Sequence, residues 1–255
     1  MRFASLGSGS EGNGLLVQAG STTLLLDCGF GLADAGRRMR RLGVDPDSLD
    51  AIVVTHEHDD HVGGVPRLAR KLGIPVYLTY GTYVATGMDR FDGVTVNIMD
   101  SHAVVAVGDI EVRPFPVPHD AREPSQFVFG DGATTLGVLT DTGVATTHIE
   151  AMLSEVDALV LECNHDLDML MNSTYPRSLK QRISGRLGHL DNATAARILG
   201  AVKHAGLQHV IAAHLSQQNN TPELARSALA TALGCGEDWI GAATQGDGFD
   251  WRDIT

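Results

Sequence analysis

The sequence has little cysteine, and its three cysteines are scattered at Cys28, Cys163 and Cys235. An odd number of well-separated cysteines argues against a disulfide framework and fits a reducing compartment. The chain also lacks an apolar run of about 18 residues, the length that a membrane-spanning helix requires. No basic segment followed by an apolar stretch begins the sequence. These absences predict a cytoplasmic protein without a membrane span or a secretory leader.

Positive charge is scarce as well. The chain has 19 Lys and Arg against 31 Asp and Glu, which gives a formal net charge of −12. Such an excess of acidic residues argues against a broad basic face that binds nucleic acid. Two local basic clusters remain, RRMRR at 37–41 and the group Arg177, Lys180, Arg182 and Arg186. Solvated helix faces are the simplest account of both clusters.

What the sequence has in abundance is short apolar runs that stop at polar residues. Its 255 residues, 43% of them hydrophobic, suffice for a large core. No repeat or linker divides the chain, so we predict one domain over residues 1–255. The segments typical of strands are RFASL, LLVQA, TTLLL, DAIVVT, PVYLT, VTVNI, VVAV, IEVRPFPV, QFVFG, TTLGVLT, DALVLE and HVIAAH. Helical patterns at 32–43, 65–73, 176–187, 191–205 and 222–233 are interleaved with them. This mixture predicts an α/β fold of two sheets packed face to face with helices outside.

The densest polar segment, THEHDDH, directly follows the apolar run DAIVV. His56, His58, Asp60 and His61 form the pattern H-x-H-x-D-H. Residues two apart in an extended segment share a direction, so His56 and His58 can face one metal ion while Asp60 and His61 face a second. Imidazole and carboxylate ligands without a thiolate suit Zn, Mn or Fe. Four ligands from six residues cannot fill two coordination shells, so further ligands must come from elsewhere.

Three later polar residues stand where apolar strands end: His119 in VPHD, Asp141 in LTDTG and His214 in AAHLS. His119 would complete a three-histidine site with the first pair, and His214 would complete the second site. Asp141 would bridge the two metal ions. This arrangement leaves room for a hydroxide between two divalent ions, the usual nucleophile of two-metal hydrolysis.

These motifs resemble those of the metallo-β-lactamase superfamily, whose members share a four-layer αββα sandwich and a one- or two-metal site. THEHDDHVGG resembles the superfamily signature, and Asp27 in LLLDCG, His119, LTDTG and HLS match the other motifs in order. SLGSGSEGNG, ECNHD, YPRSLKQRISGRLGHLDN and HLSQQNN are similar to the bacterial YycJ-like proteins. This resemblance implies a dinuclear-metal-dependent hydrolase, and most directly a phosphodiesterase that degrades DNA from 5′ to 3′.

The resemblance also implies roles for residues beyond the ligands. His189, in a GH segment before a helix start, would donate a proton to the departing oxygen or stabilise it, so His189 and Asp60 are the predicted catalytic residues. Asp27 would accept a hydrogen bond from a ligand imidazole and fix its tautomer. Asn164 and His165 in ECNHD emerge near the same rim, where contact with substrate, support of a ligand and a structural role all remain open for His165.

The small-residue turn GSGSEGNG at 7–14 lacks the Lys of a phosphate-binding loop, and a tight hairpin is the simpler interpretation. Ser10 and Asn13 could still contact a substrate phosphate from this turn. Cys28 and Cys163 adjoin site residues but follow apolar strands, so we expect small buried hydrophobes there.

Three other functions fit parts of this pattern. A hydrolase of small cyclic phosphodiesters, or of thioesters or lactones, would carry the same metal ligands, although GHLDN favours phosphate. A di-iron oxidoreductase of this fold tends to replace the middle histidine of H-x-H-x-D with Glu, whereas His58 is retained. A non-catalytic regulatory protein would have lost ligands, and none of the expected ligands is missing.

Overall fold

The computed structural model describes residues 1–255 and contains two seven-stranded sheets. The strands are β1 (Arg2–Gly7), β2 (Gly14–Ala19), β3 (Thr22–Leu26), β4 (Ala51–Val53), β5 (Val76–Thr79), β6 (Val96–Met99), β7 (Val105–Val107), β8 (Ile110–Pro116), β9 (Ser125–Gly130), β10 (Thr135–Leu139), β11 (Ala158–Glu162), β12 (His209–Ala213), β13 (Gly241–Ala242) and β14 (Phe249–Asp253). The α-helices are α1 (Leu32–Arg41), α2 (Asp59–Val62), α3 (Val65–Leu72), α4 (Tyr80–Thr86), α5 (Thr147–Leu153), α6 (Leu167–Asn172), α7 (Arg177–Ile183), α8 (Asn192–Val202) and α9 (Pro222–Leu233). Among these helices, none has the length and apolar character needed to cross a membrane.

The strand order determines which chain segments meet. One sheet has the order β14-β1-β2-β3-β4-β5-β6 and the other β13-β12-β11-β10-β9-β8-β7. Strands β3 to β6 are parallel, as are β10 to β13. Strand β8 runs in the same direction as β10 because both pair antiparallel with β9. The carboxyl ends of β3 and β4 therefore share an edge of one sheet, and those of β8, β10, β11 and β12 share an edge of the other.

The apolar residues form three layers of core. Phe3 and Leu24 of one sheet pack in the same buried cluster as Phe127 and Val138 of the other, so the sheets lie face to face. Leu25 points the opposite way and packs with residues of α1 and α3. A third cluster joins the outer face of the second sheet to α5, α8 and α9. The unbroken run TTLLL follows from burial of β3 on both faces. The architecture is the predicted αββα sandwich.

Most predicted elements are confirmed, including the helices over α1, α3, α7, α8 and α9. The hairpin interpretation of the GSGSEGNG turn is also confirmed, because β1 and β2 pair antiparallel on either side of it. Helices α4, α5 and α6 and the pairing of β14 with β1 were not predicted.

Three residues just beyond strands have an unusual backbone. Asp27 follows β3 with φ 58°, Asp141 follows β10 with φ 50°, and His214 follows β12 with φ 54°. The left-handed region is uncommon for residues other than glycine, although Asp, Asn and His are enriched there. Such conformations persist where the surrounding structure enforces them, and they cluster at functional sites. These three turns lie at the edge of the sandwich formed by the carboxyl ends of the strands.

Candidate metal centre

The histidine-rich segment forms a turn between β4 and α2. His56 and His61 are buried, and α2 begins at Asp59 directly after His58. The backbone N–H groups of His61 and Val62 both donate to the His58 carbonyl at 2.9 Å. This tight turn places the four predicted ligands of the segment on the same side of it. The ring centroids of His56 and His58 are 4.5 Å apart, and those of His56 and His61 are 4.3 Å apart.

The remote predicted ligands lie beside this turn. Nitrogen atoms of His56, His58 and His119 lie within 4.8 Å of one another, and one atom each from Asp60, His61 and His214 form a second such group. Each group has the membership expected from the sequence. The carboxyl edge of both sheets brings them together, because His119 follows β8 and His214 follows β12.

Asp141 lies between the two groups. Its Oδ2 is 3.1 Å from His61 Nε2, and its Oδ1 is 3.6 Å from His214 Nε2 and 3.9 Å from His119 Nε2. The carboxylate is fully buried and contacts members of both groups. This is the position required of a bridging ligand.

In each of these histidines, one ring nitrogen takes part in a hydrogen bond outside the centre, and the other ring nitrogen faces the centre. His119 Nδ1 lies 3.1 Å from the Gly188 carbonyl and His58 Nε2 lies 2.9 Å from the Asp120 carbonyl, so each of these nitrogens carries the proton. The opposite nitrogens, His119 Nε2 and His58 Nδ1, then face each other as lone pairs at 3.4 Å. His56 Nε2 is buried and has no hydrogen-bond partner. Neutral, converging imidazoles of this kind fit divalent metal ions.

The charges of the surrounding groups are consistent with this arrangement. Burial, with repulsion from His61, lowers the pKa of His56 well below its usual value, which keeps this imidazole neutral. Burial would also lower the pKa of His61, but attraction to Asp141, Asp60 and Asp27 outweighs burial and raises it. Burial would raise the pKa of Asp60, but His61 and His214 lower it strongly. Asp60 is therefore ionised, and without a metal ion His61 and His214 hold protons.

Asp27 forms hydrogen bonds that hold the histidine-rich turn in place. Its Oδ2 accepts a hydrogen bond from His61 Nδ1 at 2.8 Å. Its Oδ1 accepts from the Thr55 backbone N–H at 2.8 Å, and the Thr55 hydroxyl also contacts Oδ2 at 2.8 Å. The same hydroxyl lies 2.9 Å from His56 Nδ1. Asp27 thereby fixes the orientation of His61 directly and that of His56 through Thr55.

Two asparagines also contact the predicted ligands. Asn13 is buried in the β1–β2 turn, and its Nδ2 lies 3.2 Å from Asp60 Oδ2 and 3.0 Å from His61 Nε2. Asn164 donates from Nδ2 to the His214 carbonyl at 3.0 Å. Both side chains lie against ligand residues. Ser10, by contrast, is exposed and lines the cleft outside the metal centre.

His189 lies next to the centre and contacts a carboxylate that was not predicted from the sequence. Its Nδ1 is 2.7 Å from Oε1 of Glu162, the last residue of β11, which is fully buried. The other oxygen of Glu162 accepts from the Thr142 backbone N–H at 3.0 Å. The His189 ring stacks on His214 with centroids 5.4 Å apart. Because Nδ1 is engaged, Nε2 is the nitrogen available to a substrate.

Glu162 could also join a metal group, since one atom each from Asp141, Glu162, His189 and His214 lie within 4.8 Å. Burial would raise the pKa of Glu162, but attraction to His189 and its hydrogen bond outweigh burial and lower it. The short contact to His189 and the bond from Thr142 occupy both oxygens of the carboxylate, so we interpret Glu162 as the partner of His189. The sequence signal was a lone carboxylate ending an apolar strand.

His165 belongs to none of the groups that could hold a metal ion and does not line the cleft. It is 1% exposed, both ring nitrogens lack a hydrogen-bond partner, and its backbone pairs with Asp191 before α8. Burial lowers the pKa of His165, so the ring is neutral. Cys28 and Cys163 are buried as expected, and burial raises the pKa of the Cys28 thiol to about 12. The two thiols lie in the apolar clusters of the two outer layers.

The centre opens into a cleft of about 230 Å³. Five of the predicted ligands line it together with Ser10 and Ser216. Tyr175, Leu179, Ile183 and Leu187 of α7 and its flanks also line it. Arg182 is a further lining residue, with Nε 3.1 Å from Asp120 Oδ2. The lining of the cleft therefore combines polar ligand residues with apolar and aromatic side chains.

A model of the beta-lactamase superfamily domain matches residues 22–215 of this chain. The match includes every predicted metal ligand.

Relatives over nearly the whole chain are nucleases. The sequence is 36% identical over 237 residues to exodeoxyribonuclease YycJ of Bacillus anthracis, covering 91% of this chain and 89% of the relative. It is 32% identical over 236 residues to exodeoxyribonuclease WalJ of Streptococcus pneumoniae serotype 2, covering 91% and 88%. Among solved structures, Zn(2+)-bound PqqB from Methylobacterium extorquens superimposes with a TM-score of 0.76 at 17% identity, covering 100% of both chains. The last similarity concerns the fold alone.

Proposed function

This chain belongs to the beta-lactamase superfamily and to its YycJ-like branch of hydrolases, and on that premise we propose that it is a dinuclear-metal-dependent phosphodiesterase that degrades DNA from the 5′ end. The observation that carries the proposal is the pairing of His189 with buried Glu162 beside Asp141. A hydrolase that cleaves a phosphodiester needs a group that protonates or stabilises the leaving oxygen, and His189 is oriented for that task.

We assign the two metal positions to the two groups of side chains described above. One ion would be held by His56, His58 and His119, the other by Asp60, His61 and His214, with Asp141 between them. Their nitrogen and oxygen donors, without a thiolate, suit zinc, manganese or iron. When bound, two such ions would activate a water molecule and offset charge that develops on a phosphoryl group.

Other side chains of the protein would transfer the proton, orient Asp60 and bind the phosphate. Glu162 accepts a hydrogen bond from His189 Nδ1, which leaves Nε2 as the nitrogen that faces the substrate. In the imidazolium form, in which both nitrogens carry protons, Nε2–H can transfer its proton to the leaving oxygen and leave a neutral ring that is still protonated on Nδ1. Asp60 is oriented by Asn13 and the two neighbouring histidines. Ser10 and Arg182 flank the cleft, where they can donate hydrogen bonds to phosphate oxygens.

The mixed lining of the cleft favours a nucleotide over a thioester or lactone. Tyr175 and the aliphatic residues of α7 line the same cleft as the polar ligands. A nucleobase stacks well on an aromatic or apolar surface, while its phosphate requires polar partners. A small cyclic phosphodiester would use the same contacts and is the second candidate.

One assay separates these functions. Metal-loaded protein is incubated with 5′-phosphorylated duplex DNA, single-stranded DNA, cyclic nucleotides and a thioester. We expect release of mononucleotides from the 5′ end of DNA. Turnover of the thioester alone would contradict the proposal, and turnover of cyclic nucleotides alone would favour the second candidate.

A matched pair of histidine variants tests the assignment of the site. His58→Ala removes a predicted ligand, whereas His102→Ala removes an exposed histidine elsewhere. We expect loss of bound metal and of turnover in the first variant only, with the circular dichroism spectrum of both unchanged. Full metal content in His58→Ala would show that His58 is not a ligand.

A further inference from the structure

A cleft outside the metal centre is lined by three arginines. It has a volume of about 320 Å³, and its lining consists of Gly63, Pro66, Arg67, Arg70, Asp89 and Arg90. The arginines come from α3 and from the turn Met88–Phe91 that follows α4. The three guanidinium groups are opposed by the carboxylates of Asp89 in the lining and of Asp59, which is ion-paired with Arg90, so a local excess of positive charge remains in a chain with a net charge of −12. We call it the arginine cleft.

Two of the three guanidinium groups are held in place by backbone oxygens. Arg70 donates from Nε to the Asp92 carbonyl and from Nη2 to the Arg90 carbonyl, both at 2.8 Å. Arg90 donates from Nη2 to the Gly63 carbonyl at 3.4 Å. A guanidinium has five N–H donors, so each side chain keeps donors for a ligand. Arg67 is exposed, on the same helix and three residues from Arg70. Prior fixing of the side chains lowers the entropy cost when an anion binds.

The basic cluster at 37–41 differs in this respect. Arg38 and Arg41 donate to backbone carbonyls of residues 245–247 and of β1, and Arg38 packs over the Phe30 ring. These two arginines tie α1 to the C-terminal segment. Their positive charge therefore serves the fold, whereas all three arginines of the arginine cleft line an open cleft.

The arginine cleft is next to the metal centre along the chain. Arg90 Nη1 lies 3.5 Å from Oδ1 of Asp59, the residue before the predicted ligand Asp60. Gly63, on the other side of the cleft, caps α2, which carries Asp60 and His61. The four residues of α2 span about 6 Å at 1.5 Å per residue. The arginine cleft and two of the predicted ligands therefore adjoin the same short segment of chain.

We propose that the arginine cleft binds backbone phosphates of the DNA strand outside the scissile bond. This inference rests on the proposed function and adds a binding site to it. Planar guanidinium groups match phosphate oxygens through paired hydrogen bonds, and contacts to phosphates position a strand without reading its sequence. The cleft has no apolar lining residue for a nucleobase except Pro66, so the backbone is the part of the strand that fits it.

The test compares two charge reversals on exposed helical arginines. Arg67→Glu alters the arginine cleft, and Arg197→Glu on α8 makes the same change in net charge without a hydrogen-bond or ion-pair partner to disturb. Binding of a fluorescent single-stranded oligonucleotide is measured by anisotropy at several salt concentrations. Hydrolysis of bis(p-nitrophenyl) phosphate, which is too small to reach the cleft, is measured in parallel.

We expect Arg67→Glu to weaken oligonucleotide binding by about tenfold. The slope of log affinity against log salt concentration should become shallower by about 0.7 for each phosphate that the cleft no longer neutralises. Arg197→Glu should bind as the unaltered protein does, and both variants should hydrolyse the small diester normally. Equal weakening in the two variants, or unchanged binding in Arg67→Glu, would overturn the inference. Unaltered protein that binds DNA without cleaving it would refute the proposed function, while weaker binding in Arg67→Glu alone would still support the binding site.

Discussion

Glu162 Oε1 lies 2.7 Å from His189 Nδ1, and the glutamate has no exposed surface. The carboxylate reaches His189 from the end of β11, an interior strand of the second sheet. A rigid strand thus holds the orientation of a side chain that stands on a loop. In our proposal, the position of the proton donor depends on this one contact.

Replacement of Glu162 by Gln should lower kcat by about 10- to 100-fold, because His189 loses the carboxylate that orients it. KM and metal content should stay close to those of the unaltered protein, since Gln can still accept from the Thr142 N–H. Steady-state kinetics and metal analysis give these values.

The double variant with His189→Ala provides the control. If Glu162 acts through His189, the two substitutions are not additive, and the double variant is no slower than His189→Ala alone. Independent, additive effects would show that Glu162 does not serve as the positioning residue of His189.

Replacement of Asp27 by Asn should weaken metal binding by about 10- to 100-fold, the usual cost of removing a carboxylate behind a ligand histidine. Asn keeps the shape of the side chain and tolerates the φ of 58° at this position. Competition with a chromogenic chelator measures the affinity.

Asp50→Asn is the matched control for this variant, because Asp50 also accepts a hydrogen bond from a strand backbone, at Thr23, but contacts no predicted ligand. It should leave metal affinity unchanged. Equal affinity in Asp27→Asn and Asp50→Asn would contradict the assigned role of Asp27.

The stability of the metal-free protein should fall as the pH rises. Burial would lower the pKa of His214, but attraction to Asp141 and hydrogen bonds to Asp60 and Glu162 outweigh burial and raise it to about 10. An unfolded histidine has a pKa of about 6.5. The stabilisation from the charged ring is therefore complete below about pH 6.5 and is lost as the pH rises through about 10.

Denaturant unfolding of chelator-treated protein between pH 6.5 and 10 measures this effect. We expect the free energy of unfolding to fall by up to about 1.4 kcal/mol per pH unit for this single proton. His214→Asn should show a smaller fall, and His204→Asn, outside the site, should not alter it. A flat profile for the unaltered protein would contradict the expected sign.

The candidate metal ligands could be selected from the sequence because their positions follow from two local features. His56, His58, Asp60 and His61 lie within one short segment, and His119 stands directly after a recognisable apolar strand. The carboxyl ends of the strands in such a sheet lie at one edge, so the position of a residue there is restricted. Local patterns of this kind are visible without knowledge of any tertiary contact.

Other features depend on pairings that no local pattern reveals. Glu162 reads as the boundary of an apolar strand, and only the fold brings it to His189. Helix α4 has the β-branched and aromatic sequence YGTYVAT, and its start is held by a remote contact in which the Gly81 backbone N–H donates to Glu123 Oε2 at 2.6 Å. Strand β14 pairs with β1 from the opposite end of the chain. Tertiary contacts decide these elements.

The left-handed turns at Asp27, Asp141 and His214 bear on how the site should be dissected. An alanine introduced there would remove a functional group and also be forced into a backbone region that costs roughly 1 kcal/mol or more per residue. A glycine deletes the functional group while accepting the same dihedral angles without that penalty. Glycine substitutions at these three positions would thus report the loss of the functional group without added backbone strain. The difference between each glycine variant and the matching alanine variant would measure the backbone strain at that position.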